Sequence, residues 1–278
     1  RDNNLIKING DWDAEINGGV LCDVGRFFPM DEKRNRVVTP MIRKDGALKA
    51  ATWDEALSVV MENFKPFINK KENGIAAIAS TRLPADVLYY YKQIFEEILG
   101  SNMVTSTEEG RFTEVLSEFA EDKGSFEAKL SEIHKADTIM TIGLDLTKDH
   151  QVAGFFIKRL IPGGTKVIPV SYESSGMDAF TPHSMIIERN QDLAFIQAVD
   201  AALNGVDCSK FAEKSGISSQ KITEIASLLD GSQNLVFIYG TDFDVKQKRE
   251  TVQSLLKLAK ILNAKLISPK GKANSLVS

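Results

Sequence analysis

Apolar residues along the chain alternate between helical spacing and short continuous runs. Thr52-Trp53-Asp54-Glu55 reads as a capping box, with Thr52 capping and Glu55 reaching back. Leu57, Val60, Met61, Phe64 and Phe67 follow at helical spacing and predict a helix to about residue 69. Gly74 then ends a connection. Ile75-Ala76-Ala77-Ile78-Ala79 is a continuous apolar run, as expected of a parallel strand buried on both faces. Pro84 opens a helix with inner face Val87, Leu88, Tyr91, Ile94, Phe95 and Ile98, and Gly100 stops it.

The same alternation predicts helices over 109–119 and 126–135, a strand over 138–142 ending in Gly143, and a helix over 151–160 that breaks at Gly163-Gly164. A strand over 166–170, a loop over 171–182 and a short strand over 185–187 come next. Helices over 192–203, 218–229 and 246–262 complete the pattern, with strands over 235–239 and 265–267. Residues 1–50, rich in Gly, Asn, Asp and Arg, read as irregular structure with short strands. Such alternation of strand and helix predicts an α/β fold with parallel sheets covered on both faces.

Composition narrows the function more than the fold. At 278 residues the chain has room for one large or two ordinary domains, and 43% hydrophobic residues suffice for a sizeable core. A formal charge of -4 gives no basic stripe, so nucleic acid is not an expected partner. No apolar run approaches the roughly 20 residues of a membrane span, and no signal-peptide pattern opens the chain. Direct membrane insertion is therefore not expected. The two cysteines, Cys22 and Cys208, lie far apart, which excludes a disulfide framework and a self-contained four-cysteine metal site. They fit a reducing, cytoplasmic compartment. Arg1 stands where an initiator Met would be, so a piece of a longer polypeptide is expected.

In open parallel sheets, ligands sit beyond the strand carboxyl ends, where helix N-termini offer free N–H groups to anions. The candidate loops follow Ile142, Val170 and Tyr239, and none carries a GxGxxG or Walker A sequence. Cys22 lies in Gly18-Gly19-Val20-Leu21-Cys22-Asp23-Val24-Gly25-Arg26-Phe27 and by itself reads as a small buried hydrophobe. Cys208 reads as buried near a helix start. His134 falls in the last turn of a helix, where a cation complements the dipole. His150 and His183 flank loops without a nucleophile-and-base pattern.

Four stretches, taken in order, resemble the molybdopterin oxidoreductase family, which includes formate dehydrogenases and the large redox subunit of NADH-quinone oxidoreductase. The segment around Cys22 is similar to the family's LCxKGRF, whose Cys is the fourth ligand of a 4Fe-4S cluster completed by an upstream CxxCxxxC run. Arg36-Val37-Val38-Thr39-Pro40-Met41-Ile42-Arg43, Gly46 and Thr52-Trp53-Asp54-Glu55-Ala56-Leu57 resemble the most specific motif of the four. Ala136-Asp137-Thr138-Ile139-Met140-Thr141-Ile142-Gly143 looks like the strand entering the guanosine half of the pterin site. Leu235-Val236-Phe237-Ile238-Tyr239-Gly240, with Gly271 and Asn274, resembles the return into a second domain.

The resemblance implies two doubly wound, Rossmann-like parallel-sheet domains behind a small irregular N-terminal segment. On that pattern, 1–50 is a remnant of an iron–sulfur domain. Residues 51–108 with 236–278 form a discontinuous α/β domain, and 109–235 form an inserted Rossmann-like domain. It implies a molybdopterin guanine dinucleotide held at Gly143, Asp145, Ser171, Glu173, Asp192 and Gly240, with Asp192 accepting from the guanine. Cys22 would be the fourth cluster ligand in an intact subunit.

This sequence departs from the pattern at several of those places. Val24 stands in place of the lysine that links cluster to pterin, and the upstream cysteines are not in the sequence. The window 102–119 holds no Cys or selenocysteine for molybdenum, and Ser106 does not fall on the ligand position. The family's GSNP reads Gly143-Leu144-Asp145-Leu146, its DPR reads Ser171-Tyr172-Glu173, and its PGTD reads Arg189-Asn190-Gln191-Asp192. A carboxylate about 5 Å from a phosphate, at an effective dielectric near 20, costs roughly 3 kcal/mol, or about a hundredfold in affinity. Two functions follow. One is the electron-transferring large subunit of a formate dehydrogenase-like oxidoreductase. The other is a cofactor-poor scaffold of the NADH-quinone oxidoreductase type. The eroded loops favour the scaffold, with neither cofactor in this stretch alone and no activity of its own. Other redox subunits and the rest of the same polypeptide are the expected partners.

Overall fold

A computed structural model describes residues 5–14, 17–31, 34–68, 74–107, 128–240 and 248–269. The predicted helix over 109–119, the first residues of the one over 126–135, and Gly271 and Asn274 lie outside the described residues. The chain forms two compact units. One gathers the described residues of 1–30 and 110–269, the other those of 31–109.

The larger unit is built on a five-stranded parallel sheet in the order β7-β6-β5-β8-β9. Its strands are β5 (Thr138–Ile142), β6 (Lys166–Ser171), β7 (Met185–Ile186), β8 (Leu235–Tyr239) and β9 (Lys265–Ile267). The chain winds outward from β5 to β7, crosses back over β5, and continues through β8 to β9. That reversal puts a topological switch point between β5 and β8. Both central strands are buried at every residue, as the apolar run of β8 requires, and β5 buries Thr138 and Thr141 beside its apolar residues.

Alternate residues of β5 serve the two faces. Met140 and Ile142 join Ile168, Val170, Phe237 and Tyr239 against Phe195 and Val199 of α5 (Asp192–Leu203) and against α7 (Ser219–Asp230) and α8 (Lys248–Ile261). Ile139 faces the other way and joins Val167, Val236 and Ile238 against Ile157 of α4 (Gln151–Leu160). Val170 turns its carbonyl toward β5, where the Gly143 N–H donates to it at 3.2 Å. Pro169, one residue back, therefore faces the β7 side, and β7 pairs only from Val170 onward. No ladder bond is lost to the proline.

Asp137 fastens the start of this sheet. Its carboxylate accepts from the Ser232 hydroxyl and from the N–H groups of Gln233 and Asn234, both at 2.9 Å. Burial would raise its pKa, but these hydrogen bonds outweigh burial and hold the carboxyl below the usual aspartate range. A short helix α6 (Ser209–Ser215), which the apolar spacing does not predict, follows the buried Cys208. The expected second helix near 126–135 is a 3-10 segment over Leu130–Lys135.

The smaller unit contains a hairpin, β1 (Met41–Lys44) and β2 (Ala47–Ala50), and a parallel pair, β3 (Ala76–Ala79) and β4 (Met103–Ser106). Asp45 and Gly46 both have positive φ, 53° and 78°, the two-residue turn that matches strand twist. Helix α2 (Trp53–Phe64) starts at the expected capping box, with the Glu55 N–H donating to Thr52 Oγ1 at 3.2 Å and the Thr52 N–H to Glu55 Oε2 at 2.9 Å. Helix α3 (Ala85–Lys92) runs on into a π-helical turn over Gln93–Ile98. A fifth-residue bond of this kind widens the helix and is not written in apolar spacing.

One expected boundary is corrected. The family pattern assigns residues from 236 onward to the same domain as 51–108, yet β8 pairs with β5 along its whole length and β9 pairs with β8. Five buried residues in β8 need sheet neighbours on both sides, and β5 and β9 supply them. The described residues of 1–30 likewise cluster with the five-stranded sheet.

Candidate functional site

The six expected dinucleotide residues converge on one edge of the larger unit, at the carboxyl ends of β5, β6 and β8 and the first turn of α5. Gly143 follows β5 with φ 65°, and Gly240 follows β8. The Gly240 N–H donates to the Ile142 carbonyl at 2.8 Å, extending the ladder one residue past the strands. A Cβ on Gly240 would stand 2.1 Å from the Gly143 carbonyl oxygen. The switch point is thus a backbone-to-backbone approach that only glycine permits.

Asp145 organises the loop after β5. Its Oδ1 accepts from the Thr147 N–H at 2.9 Å and the Thr147 hydroxyl at 2.6 Å. Lys148 Nζ lies 3.5 Å from Asp145 Oδ2 and 3.7 Å from Glu173 Oε1, so one ammonium bridges the two loop carboxylates. Ser171 is buried at the end of β6, where its hydroxyl donates to the Glu173 carbonyl at 2.7 Å. A helical turn over Asp178–Phe180 closes this loop. Burial pushes the Asp178 pKa up, and donors from Ser175 and Ser174 more than reverse this, leaving it below the ordinary range.

Asp192 begins α5 and is 2% exposed. The Tyr172 hydroxyl donates to its Oδ2 at 2.5 Å, and the Arg189 guanidinium carbon lies 5.6 Å from the centre of the Tyr172 ring. Lys148, Tyr172 and Arg189 were not singled out from sequence. A D-x-T turn ahead of Lys148 was the available signal for the first. Nothing local links Tyr172 to a residue twenty positions on.

Cys22 is half-buried and precedes the short helix α1 (Asp23–Phe27), its Sγ accepting from the Gly25 N–H at 3.3 Å. The Asp23 N–H reaches Gln151 Oε1 at 3.2 Å, which puts this segment beside the first residue of α4. Among the described residues, no three His, Cys, Asp or Glu gather as a metal-binding group. The histidines stand apart, with His134 against Phe156 at 4.9 Å and His183 Nδ1 3.8 Å from Glu224. No helix among the described residues is long and apolar enough to cross a membrane.

The family model described as molybdopterin oxidoreductase matches residues 36–273. The chain belongs to this family. A G-type subunit of NADH-quinone oxidoreductase from Rhizobium meliloti is 24% identical over 280 residues, 94% of this chain and 32% of its own. A nitrate reductase of Symbiobacterium thermophilum is 28% identical over 157 residues, 55% of this chain and 21% of its own. A provisionally named formate dehydrogenase of Staphylococcus haemolyticus is 27% identical over 169 residues, 57% of this chain and 17% of its own. The chain thus spans a third or less of the length of these relatives. In fold it is similar to the acetylene hydratase of Pelobacter acetylenicus, with TM-score 0.60 and 14% identity, over 83% of this chain and 36% of that one.

Family membership implies a pterin cofactor, and the residues at this edge are a poor match for its guanine dinucleotide form. A pyrophosphate needs N–H donors and cations, while both loops present carboxylates whose nearest cation is Lys148, already between them. Cys22 has no second cysteine among its described neighbours to share a cluster.

Proposed function

We propose that this chain is the pterin-domain portion of a large redox subunit of the NADH-quinone oxidoreductase type, working there as a cofactor-poor scaffold. The observation that carries this reading is the pairing of Lys148 with Asp145 and Glu173 at the sheet edge. One ammonium between two carboxylates leaves a net negative charge, where a pyrophosphate needs a positive field. The match to the NADH-quinone oxidoreductase relative along 94% of this chain supports the same reading. In this role the sheet supplies a rigid wall, and electrons travel through iron–sulfur centres held by other parts of the polypeptide and by partner redox subunits in the cytoplasm.

A second reading is a formate dehydrogenase-like subunit with the dinucleotide at Gly143, Asp145, Ser171, Glu173, Asp192 and Gly240. It is favoured by Cys22, whose half-buried thiol lies in a segment anchored beside the start of α4. Metal and pterin analysis of the intact subunit separates the two. Stoichiometric molybdenum or tungsten would establish the second reading, and metal-free, pterin-free protein would leave the first. Calorimetry of the 278-residue chain with guanosine diphosphate is expected to show no micromolar binding.

A further inference from the structure

Tyr172 is the first residue after β6. Its hydroxyl donates to the carboxylate of Asp192 at 2.5 Å, and Asp192 is almost fully buried. The Arg189 guanidinium lies over its ring at 5.6 Å. A flat ring, a polar hydrogen on a buried carboxylate and a guanidinium over the ring face are the contacts by which a protein holds a guanine base, whose N–H edge donates in the same way.

We propose that Tyr172 is an internal surrogate for a guanine base: it takes the Asp192 carboxylate and the Arg189 face, and so closes the corner between β6 and α5 to guanine nucleotides. The inference rests on the scaffold reading and adds a residue to it. Tyr172 is here a positioning residue. It holds the first turn of α5 against the end of β6, which a bound nucleotide would otherwise bridge. Lys148 completes the closure on the neighbouring loop, between Asp145 and Glu173.

The test uses the 278-residue chain and its Tyr172→Ala and Tyr172→Phe variants. Each is titrated with guanosine diphosphate, with adenosine diphosphate as control, and melted in parallel. The unaltered chain is expected to show no saturable binding. Tyr172→Ala should show saturable binding of the guanine nucleotide, at least about tenfold tighter than the weakest affinity the titration can detect, one hydrogen bond's equivalent, and should not gain for adenine. Tyr172→Phe keeps the ring and should still exclude the nucleotide, but should melt about 3–6 °C lower for want of the donor to Asp192. A folded Tyr172→Ala that gains nothing, equal binding by the unaltered chain and Tyr172→Ala, or a Tyr172→Phe that melts with the unaltered chain would each overturn the proposal. If Tyr172→Ala does not fold, the Tyr172→Phe melt and the titration of the unaltered chain carry the decision. Failure of these arms with a metal-free, pterin-free subunit sinks only the role of Tyr172. Molybdenum or tungsten in the intact subunit sinks the scaffold reading itself.

Discussion

The two units of this chain bury their apolar residues very differently. In the larger one, β5 and β8 are covered on both faces, and Phe195, Phe237 and Ile157 are fully buried. In the smaller one, β3 and β4 pair with no further strand among the described residues, and Ile78 in the strand and Trp53 on α2 are 69% and 70% exposed. Tyr89 and Tyr90 of α3 are exposed as well. Parallel strands are ordinarily buried on both faces, so the difference lies in how much sheet and helix surrounds each. Five strands with helices on both sides make a closed core. Two strands leave an apolar face in water, which is where further protein would add most stability.

The contrast can be broken most forcefully in the closed core. Phe195→Ala should cost about 3–5 kcal/mol, read as a lower denaturant midpoint, because a fully buried ring leaves a cavity its neighbours cannot fill. An effect below about 1 kcal/mol would mean that this core is loosely packed. Gly240→Ala should cost about 1–3 kcal/mol or more, since its methyl would enter the Gly143 carbonyl and push β5 from β8.

Asp137→Ala, which leaves three donors at the sheet's other end without their acceptor, should cost about 1.5–3 kcal/mol in the same assay. Acid sharpens the comparison further. The Glu132 carboxylate accepts from Lys265 and from Lys135, and these bonds lower its pKa to about 2. A pKa depressed on folding stabilises fully above the unfolded value near 4.5, and this contribution disappears as pH falls through 2. Glu132→Gln should therefore lose that contribution at pH 7, where solvent screening keeps it small, and flatten the acid limb of the stability curve, so that the two proteins converge as pH falls through about 2. The smallest effect belongs to the open unit. Ile78→Ala should move the midpoint by no more than about 0.5 kcal/mol, because its side chain is already in water. A cost above about 2 kcal/mol would show that this face is covered in solution.

Much of this architecture was legible in advance where local chemistry decides it. The capping box at Thr52 and Glu55 lies where its spacing put it, and helix α5 spans the expected residues 192–203. The six candidate residues also share one sheet edge, because positions that follow strand ends in a parallel sheet must emerge on the same side. What they do there was less legible. Lys148 between Asp145 and Glu173, and Tyr172 on Asp192, are pairings across loops and over twenty residues, set by where β5, β6 and α5 end in space.

The sequence by itself determined the α/β class, most of the alternation of strand and helix, and the family, because apolar period, caps and motif spacing are local properties of the chain; β4 (Met103–Ser106) and α6 carry no such signal. Only the tertiary structure decided which strands are neighbours. The run from Leu235 to Tyr239 suits any buried parallel strand, and pairing with β5, not its own composition, assigns it to the five-stranded sheet. The same holds at the edge, where a carboxylate's role depends on whether a cation or a hydroxyl of the chain reaches it first, and that is a matter of distance no linear pattern records.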